Sequence, residues 1–449
     1  MAVVVLVAGC GGPQIEKHGQ PQLQAAVDAL IEPYVRSRNF SGAVLITSGN
    51  EVLADSAYGN ADWTNIVVNT SQTRFQIGSI SKTFTAASIL LLAERGLLEL
   101  DDPVAGYLAE FPNGGEITIR HLLTHTSGLP RFVFQADYRD RSMRHHTASD
   151  LVSWIRELRL ASGPGERAAY SNANYAALAA IVEEVSGQDY PVFLETEIFD
   201  PLELRSTGLA RSAGLVVKSL ASGYHPVGRS EIENARFHDY TSAIGAGAIF
   251  STTGDLDRWL RLLRDGVLLG RGSLEKLFSR NADTETYAWR VTEFDGHPAV
   301  SAQGWDGVGF SGKILHLEDL NLTVVVLCNL NISGISSEIA ENLALIALGR
   351  QPQKLQFETD PADVDELNML AGTYRFGPDF YVPNTTIELA VSDGEMVVEG
   401  FQPGALLRLG DGSFIHRQHW FRVVFERDGE GRVSGIQYGS FRAARESTG

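Results

Sequence analysis

Apolar residues in "PQLQAAVDALIEPYVRS" fall at Leu23, Val27, Leu30, Ile31 and Tyr34, intervals of three and four that put them on one helical face. The period then changes. In "SGAVLITSGNEVLADSAYGNAD" two β-rich runs flank Ser48-Gly49-Asn50, which predicts a hairpin. Residues 82–94 return to a helical pattern, with Gly96 placed to cap the C-terminus. A long mixed region follows to about residue 300, with helical patches such as "NYAALAAIVEEVSG". In "STTGDLDRWLRLLRDG", Ser251 or Thr252 can cap while Leu256, Trp259, Leu260 and Leu263 face inward. Strand-like "GKILHLEDLNLTVVVLCN" and helix-like "SSEIAENLALIALG" close this part near Gly349.

Beyond that point the texture differs. "RQPQKLQFETDPADV" is polar and holds two prolines, which suits a linker over residues 351–364. The remainder, "AGTYRF", "TTIELAVSDGEMVVEG", "ALLRLGDGSFIHR" and "WFRVVFERDGEGRVSGIQYG", consists of short alternating runs broken by Asp-Gly and Glu-Gly turns. Such a series predicts β-hairpins with no helix between them, a separate small all-β, barrel-like domain over residues 365–449. It holds no nucleophile constellation, so its expected role is binding, covering the site or assembly.

At 449 residues the chain exceeds one ordinary core, which agrees with more than one domain. Hydrophobic content of 44% and charged content of 20% describe a globular protein. The net charge of −18 and the lack of any basic run argue against nucleic acid, because phosphate binding needs clustered cations. Two cysteines, Cys10 and Cys328, allow neither a disulfide framework nor a zinc site, and Cys328 ends an apolar run that reads as a buried strand. In "MAVVVLVAGCGG" the apolar run at residues 2–8 is far short of the roughly 20 residues that span a bilayer. Its length and small-residue ending fit a secretory leader, and "LVAGC" resembles a bacterial lipobox with Cys10 as the lipidated residue. No Lys or Arg precedes the run, a departure from that pattern. The expectation is a leader at residues 1–10, a spacer at 11–21, and a bacterial envelope protein anchored by one lipid, facing the periplasm or exterior. A buried N-terminal strand is the alternative.

The candidate chemistry begins at Ser79-Ile80-Ser81-Lys82, within "FQIGSISKTFTAASILLLAERG". Gly78 precedes the serine and a long apolar helix follows, so Ser79 and Lys82 share a face at the helix start. Backbone N–H groups there stabilise an oxyanion, while that field and burial disfavour an ammonium and push the lysine below its usual pKa of about 10.4. A neutral Lys82 can take the proton from Ser79. The pattern recurs at Ser273-Leu274-Glu275-Lys276, where Ser273 reads as an N-cap on a surface helix and Lys276 as solvated. Tyr-x-Asn also occurs twice. Tyr58-Gly59-Asn60 reads as turn chemistry, whereas Tyr170-Ser171-Asn172 follows a Pro-Gly turn and enters an apolar helix. There a tyrosine can relay protons and an asparagine amide can hold both a lysine and a substrate carbonyl.

Four phrases, "FQIGSISKTFTAASILLLAERGLLELDDPV", "ITIRHLLTHTSGLP", "PGERAAYSNANYAALAAIVEEVSG" and "GAGAIFSTTGDLDRW", together resemble the penicillin-recognising serine hydrolases. The resemblance is to the class C β-lactamase-like branch, which also holds D-peptidases and esterases, and it covers roughly residues 25–345. It implies an α+β fold over residues 22–350: a mainly antiparallel sheet flanked by helices, plus a helical subdomain, with the site between them. It also implies Ser79 as nucleophile, Lys82 as base, and Tyr170 and Asn172 as the second-motif pair. The family's third motif, Lys-Thr-Gly or His-x-Gly before a Gly-Phe, falls in "HPAVSAQGWDGVGFSGKILHL". Counting back from Gly309-Phe310 puts Gln303 at the cationic position, followed by Gly304 and Trp305; one inserted residue puts Ala302 there instead. Either way the cation is missing, which disfavours acidic substrates and suits a neutral ester or amide. A second oxyanion N–H is expected from this strand, at Trp305 or Asp306.

Other groups read as structural. His121 and His125 lie four apart without a third ligand, so scaffolding histidines are expected rather than a metal pair. His297 is a weaker candidate for replacing the missing cation, and Glu166 reads as a turn residue. The sequence thus predicts a serine hydrolase acting on a small-molecule or peptide-like substrate through an acyl-enzyme, with no metal or organic cofactor. A true β-lactamase or D-Ala peptidase is the rival within enzymes. A non-catalytic binder of peptidoglycan fragments or a partner is the rival from another class. Oligomeric state is not legible.

Overall fold

The computed structural model describes residues 20–446 except 213, 280–286, 354, 358–362, 381 and 402. Cys10 and much of the linker lie outside the described residues. Helix α1 (Gln20–Arg36) leads into the hairpin β1 (Gly42–Ser48) and β2 (Glu51–Tyr58), whose turn carries Gly49 at φ 57°. Helices α2 (Ser81–Glu94), α3 (Asn172–Ser186), α4 (Thr253–Arg264) and α5 (Arg271–Phe278) follow. Strands β3 (Arg290–Phe294), β4 (His297–Trp305), β5 (Ser311–Leu317) and β6 (Leu322–Cys328) and helix α6 (Ile335–Ala347) complete this part. The six strands form one antiparallel sheet in the order β3-β4-β5-β6-β1-β2.

The pleat explains why β5 and β6 are buried throughout and why β6 is almost wholly apolar. In β6, Val325 and Leu327 join the core shared with α2 and α4, while Val324, Val326 and Cys328 join the core beneath α1 and α6. Successive side chains point to opposite faces, so a strand covered on both sides favours apolar residues at every position. The buried polar ones are bonded, Lys313 to Ser301 at 3.3 Å and His316 to Thr323 at 3.0 Å. Expected local signals are met: Thr252 caps α4 by accepting from Asp255 N at 3.2 Å, and Gly96 ends α2 at φ 68°. Burial pushes the Cys328 thiol up to about 11, so it behaves as a small hydrophobe.

The C-terminal part is a closed eight-stranded barrel between Gly372–Phe376 and Phe441–Arg445, which pair with each other. Gly394, Gly412 and Gly431, each following an acidic residue, supply left-handed turn positions. A short helix not anticipated from sequence, Val364–Leu370, precedes the barrel and adds Leu367 and Leu370 to its core. Nor is the barrel packed apart. Leu407, Leu409, Ile415 and Trp420 belong to the same core as α1 and α6, and Trp420 meets Tyr34 at 6.1 Å between ring centroids. The turn at residues 417–420 makes the polar joint. Buried Arg417 donates to Asn39 Oδ1 (2.9 Å) and to the carbonyls of Arg38 (3.0 Å), Val227 (2.6 Å), Gly228 (3.0 Å) and Glu231 (2.8 Å). Burial draws its guanidinium down to about 10.

Candidate active site

Residues 75–92 are buried with one exception, Ser79, which is half-exposed. Ser79 sits in a single 3-10 turn, Gly78–Ile80, that feeds α2. Gly78 has φ 50°, and a Cβ there would lie 2.8 Å from Trp305 N, so glycine alone lets the turn approach β4 so closely. Ser79 is the middle residue of this turn, where a backbone N–H lacks an intrahelical acceptor and points outward.

Three groups meet at the serine. Tyr170 OH lies 2.5 Å from Ser79 Oγ, and Lys82 Nζ donates to the same oxygen at 3.0 Å. Lys82 is the second residue of α2, 1% exposed, and Nζ also donates to the Ala246 carbonyl at 2.7 Å. Its Nζ is 4.9 Å from the Tyr170 ring centroid and 5.6 Å from that of Tyr175. The loop that presents Ala246 is itself tied down. Thr85 Oγ1 donates to Gly245 O at 2.6 Å, and Gly245, at φ 76°, packs where a Cβ would lie 2.2 Å from Tyr175 O.

Tyr170 is held from behind. Ser171 caps α3, accepting from Ala173 N and donating to Pro130 O at 2.6 Å. Arg131 Nε donates to the Tyr170 carbonyl at 3.0 Å. The His125 ring packs 4.6 Å from that of Tyr170, and His125 Nδ1 accepts from Asn174 Nδ2 at 3.0 Å and Ser171 N at 3.3 Å. Burial first, then the charges of Lys82 and Arg131, hold His125 down at about 3, so it is a neutral scaffold. His121 closes a capping box with Thr118, and Glu166 accepts from Gly163 N at 2.8 Å as a turn residue. Among the described residues no cluster of three or more His, Cys, Asp or Glu could hold a metal. His297 pairs with Asp319 at 3.0 Å rather than with the serine group.

Asn172 opens α3 two residues beyond Tyr170, but it does not hold Lys82: its Oδ1 is buried without a partner among the described residues, and the Ala246 carbonyl accepts from the amine. That acceptor was invisible in the sequence, because a backbone carbonyl 164 residues away has no residue signature.

Strand β4 settles the ambiguous third motif. A Cβ on Gly304 would lie 1.9 Å from Ile77 O, so Gly304 is the position that must be glycine and Ala302 fills the cationic place. Gln303 therefore points to the opposite face, where its Nε2 donates to Ser333 O at 2.9 Å; it is not part of the serine group. Trp305 pairs with Ser311, and the next N–H along, Asp306 N, donates to Phe310 O at 3.3 Å. In an antiparallel ladder this makes Trp305 a non-hydrogen-bonded position, its N–H directed away from β5. On that side β3 pairs only as far as Ser301, so the N–H faces the Gly78–Ile80 turn. Asp306 is excluded as the donor because its N–H is spent. Its carboxylate is occupied too, accepting from the N–H groups of Val308, Gly309 and Phe310 and from Tyr240 OH. The Trp305 side chain turns outward, donating to Asn331 Oδ1 at 2.5 Å and meeting the barrel's His419 edge-on at 5.8 Å.

The second copies are inert in this geometry. Ser273 is the third residue of α5 rather than its N-cap, which is Gly270, and Lys276 is exposed. Tyr58 OH donates to Asp28 Oδ1 at 2.6 Å, and Gly59 turns the chain at φ 67°.

Residues 27–348 match the family described as Beta-lactamase. PbpX of Bacillus subtilis (strain 168), which bears a penicillin-binding protein name, is 32% identical over 249 residues, 56% of this chain and 61% of that protein. This chain thus spans about three fifths of that relative's length. The structure of a penicillin binding protein from Bacillus halodurans superposes with a TM-score of 0.62 at 26% identity, covering 71% of this chain and 98% of the other. The D-amino acid amidase from Ochrobactrum anthropi SV3 shares the fold, with a TM-score of 0.63 at 22% identity over 73% of this chain and 99% of that one.

Proposed function

The chain belongs to the Beta-lactamase family, and from that premise we propose that it is a serine hydrolase that cleaves an ester or amide through an acyl-enzyme on Ser79. The observation that carries this reading is the double contact at Ser79 Oγ, with Tyr170 OH at 2.5 Å and the buried Lys82 amine at 3.0 Å. Ser79 Oγ attacks the carbonyl carbon as its proton passes to the Lys82–Tyr170 pair. The carbonyl electron pair moves onto oxygen, where the N–H groups of Ser79 and Trp305 receive the charge. Collapse expels the leaving group, which takes the proton. Water then repeats the sequence on the acyl-enzyme, returning the Ser79 hydroxyl and releasing the acid. Asn172, the asparagine of the second motif, is the residue expected to orient the substrate.

With Ala302 in the cationic place, β4 gives a substrate carboxylate no partner, so β-lactam turnover through that third-motif contact ranks behind ester or amide cleavage. Intact mass after a fluorophosphonate probe, with Ser79→Ala as control, tests the acyl-enzyme. One adduct on the wild type and none on the variant is expected, and no adduct on the wild type would leave a binding protein. Turnover of nitrocefin well above that of p-nitrophenyl butyrate would reverse the substrate ranking.

A further inference from the structure

The face of β4 that turns to the serine carries Ala302 and Gly304, so no positive side chain comes from that wall. A fixed cation stands on the other wall, on the residue that follows the Gly-Leu-Pro of "HTSGLPR". Arg131 is partly exposed, and its Nε is anchored on the Tyr170 carbonyl at 3.0 Å. Its guanidinium carbon is 5.4 Å from the Tyr170 ring centroid and 5.7 Å from that of Phe134. Two rings and one backbone bond thus fix the plane of the fork, while Nη1 and Nη2 keep their four N–H donors. Among the described residues no carboxylate pairs with it. Arg120 and Arg264, by contrast, are committed to Asp101 and Glu318. Phe134 and Val133, 55% and 43% exposed on the same turn, give the fork an apolar rim.

We propose that Arg131 is a carboxylate-binding residue of the substrate cleft, so that the preferred substrate is an ester or amide bearing a free carboxylate. This rests on the acyl-enzyme reading and replaces the sequence expectation of a neutral substrate. The charge missing from β4 is supplied from the Tyr170 side. A partly desolvated guanidinium with both terminal nitrogens available favours bidentate capture, and stacking removes water that would otherwise compete.

The test uses two matched pairs. One is mono-p-nitrophenyl adipate against p-nitrophenyl hexanoate, which differ only at the end of the acyl chain. The other is 4-butyryloxybenzoate against its methyl ester, which places the charge on the leaving group. The quantity read is the ratio of kcat/KM between charged and neutral members. In at least one pair the wild type should favour the carboxylate, and Arg131→Gln should lower that ratio about 10- to 100-fold, with Arg131→Lys in between. An unchanged ratio in Arg131→Gln, or no preference by the wild type in either pair, overturns the inference while normal fluorophosphonate labelling leaves the hydrolase reading intact. Failure of the wild type to label would overturn both.

Discussion

Ser79 and Ser273 each stand three residues before a lysine at the start of a helix. The hydroxyl of Ser79 touches a tyrosine and a buried amine, whereas Ser273 lies inside the first turn of α5 with its lysine in solvent. The difference does not lie in the tetrapeptides. It comes from what arrives by long-range folding: Tyr170 from 91 residues away and the Ala246 carbonyl from 164 residues away. Burying a lysine is unfavourable unless its donors find acceptors, and the first copy has two oxygens in place while the second never leaves water. A short pattern becomes chemistry when distant backbone makes burial of the amine tolerable.

The sharpest way to break this comparison is to remove both amines. Lys82→Gln should lower kcat/KM for p-nitrophenyl butyrate by about 1,000-fold or more, and Lys276→Gln by less than about twofold. Comparable losses would mean that burial does not distinguish the copies. The tyrosines extend the test with a smaller effect. Tyr170→Phe should reduce kcat about 100-fold, since one proton-relay hydroxyl is lost. Tyr58→Phe should leave kcat alone and cost about 1 kcal/mol in urea melts through its lost bond to Asp28.

The mildest effect is one of pH. His125 supports Tyr170 as a neutral ring held near 3, whereas an unfolded histidine takes its proton near 6.5. Between these values the unfolded chain binds the extra proton, so stability falls as pH drops below about 6.5 and is unaffected well above it. From pH 7 to 5.5 the loss from this group should be about 1 kcal/mol, read from denaturant midpoints. His316 and His419, each held by burial near 4, act with the same sign. His125→Asn should flatten the acid slope, and an unchanged slope would contradict a buried neutral His125.

Much of this was legible in the chain. The Ser48-Gly49-Asn50 hairpin and the Asp-Gly turns of the barrel follow from side-chain chemistry at fixed spacing, while the Ser79, Lys82 and Tyr170 set became legible only through the four phrases that resemble a known family. The Ala246 carbonyl was not legible, because every residue has one. Nor was the register of β4, where a shift of one position exchanges the face of every side chain, so Gln303 and Ala302 could not be told apart until Gly304 met Ile77. Of the two N–H donors expected on this strand, Asp306 drops out because its N–H is bonded to the Phe310 carbonyl, a pairing that cannot be read in one dimension. Arg131 carried no motif; its meaning depends on two aromatic rings gathered by the fold.

The Arg417 joint means that the two halves of the molecule are not modular. Deleting the barrel would take away the guanidinium that the Asn39 amide oxygen and four main-chain carbonyls share, bare the apolar face that Leu407, Leu409, Ile415 and Trp420 cover, and strip the neighbour from the outer face of Trp305. A trimmed enzyme would be an injured one. Any graft that took the barrel's place would have to bring its own guanidinium, on a turn of the same reach, to those five oxygens.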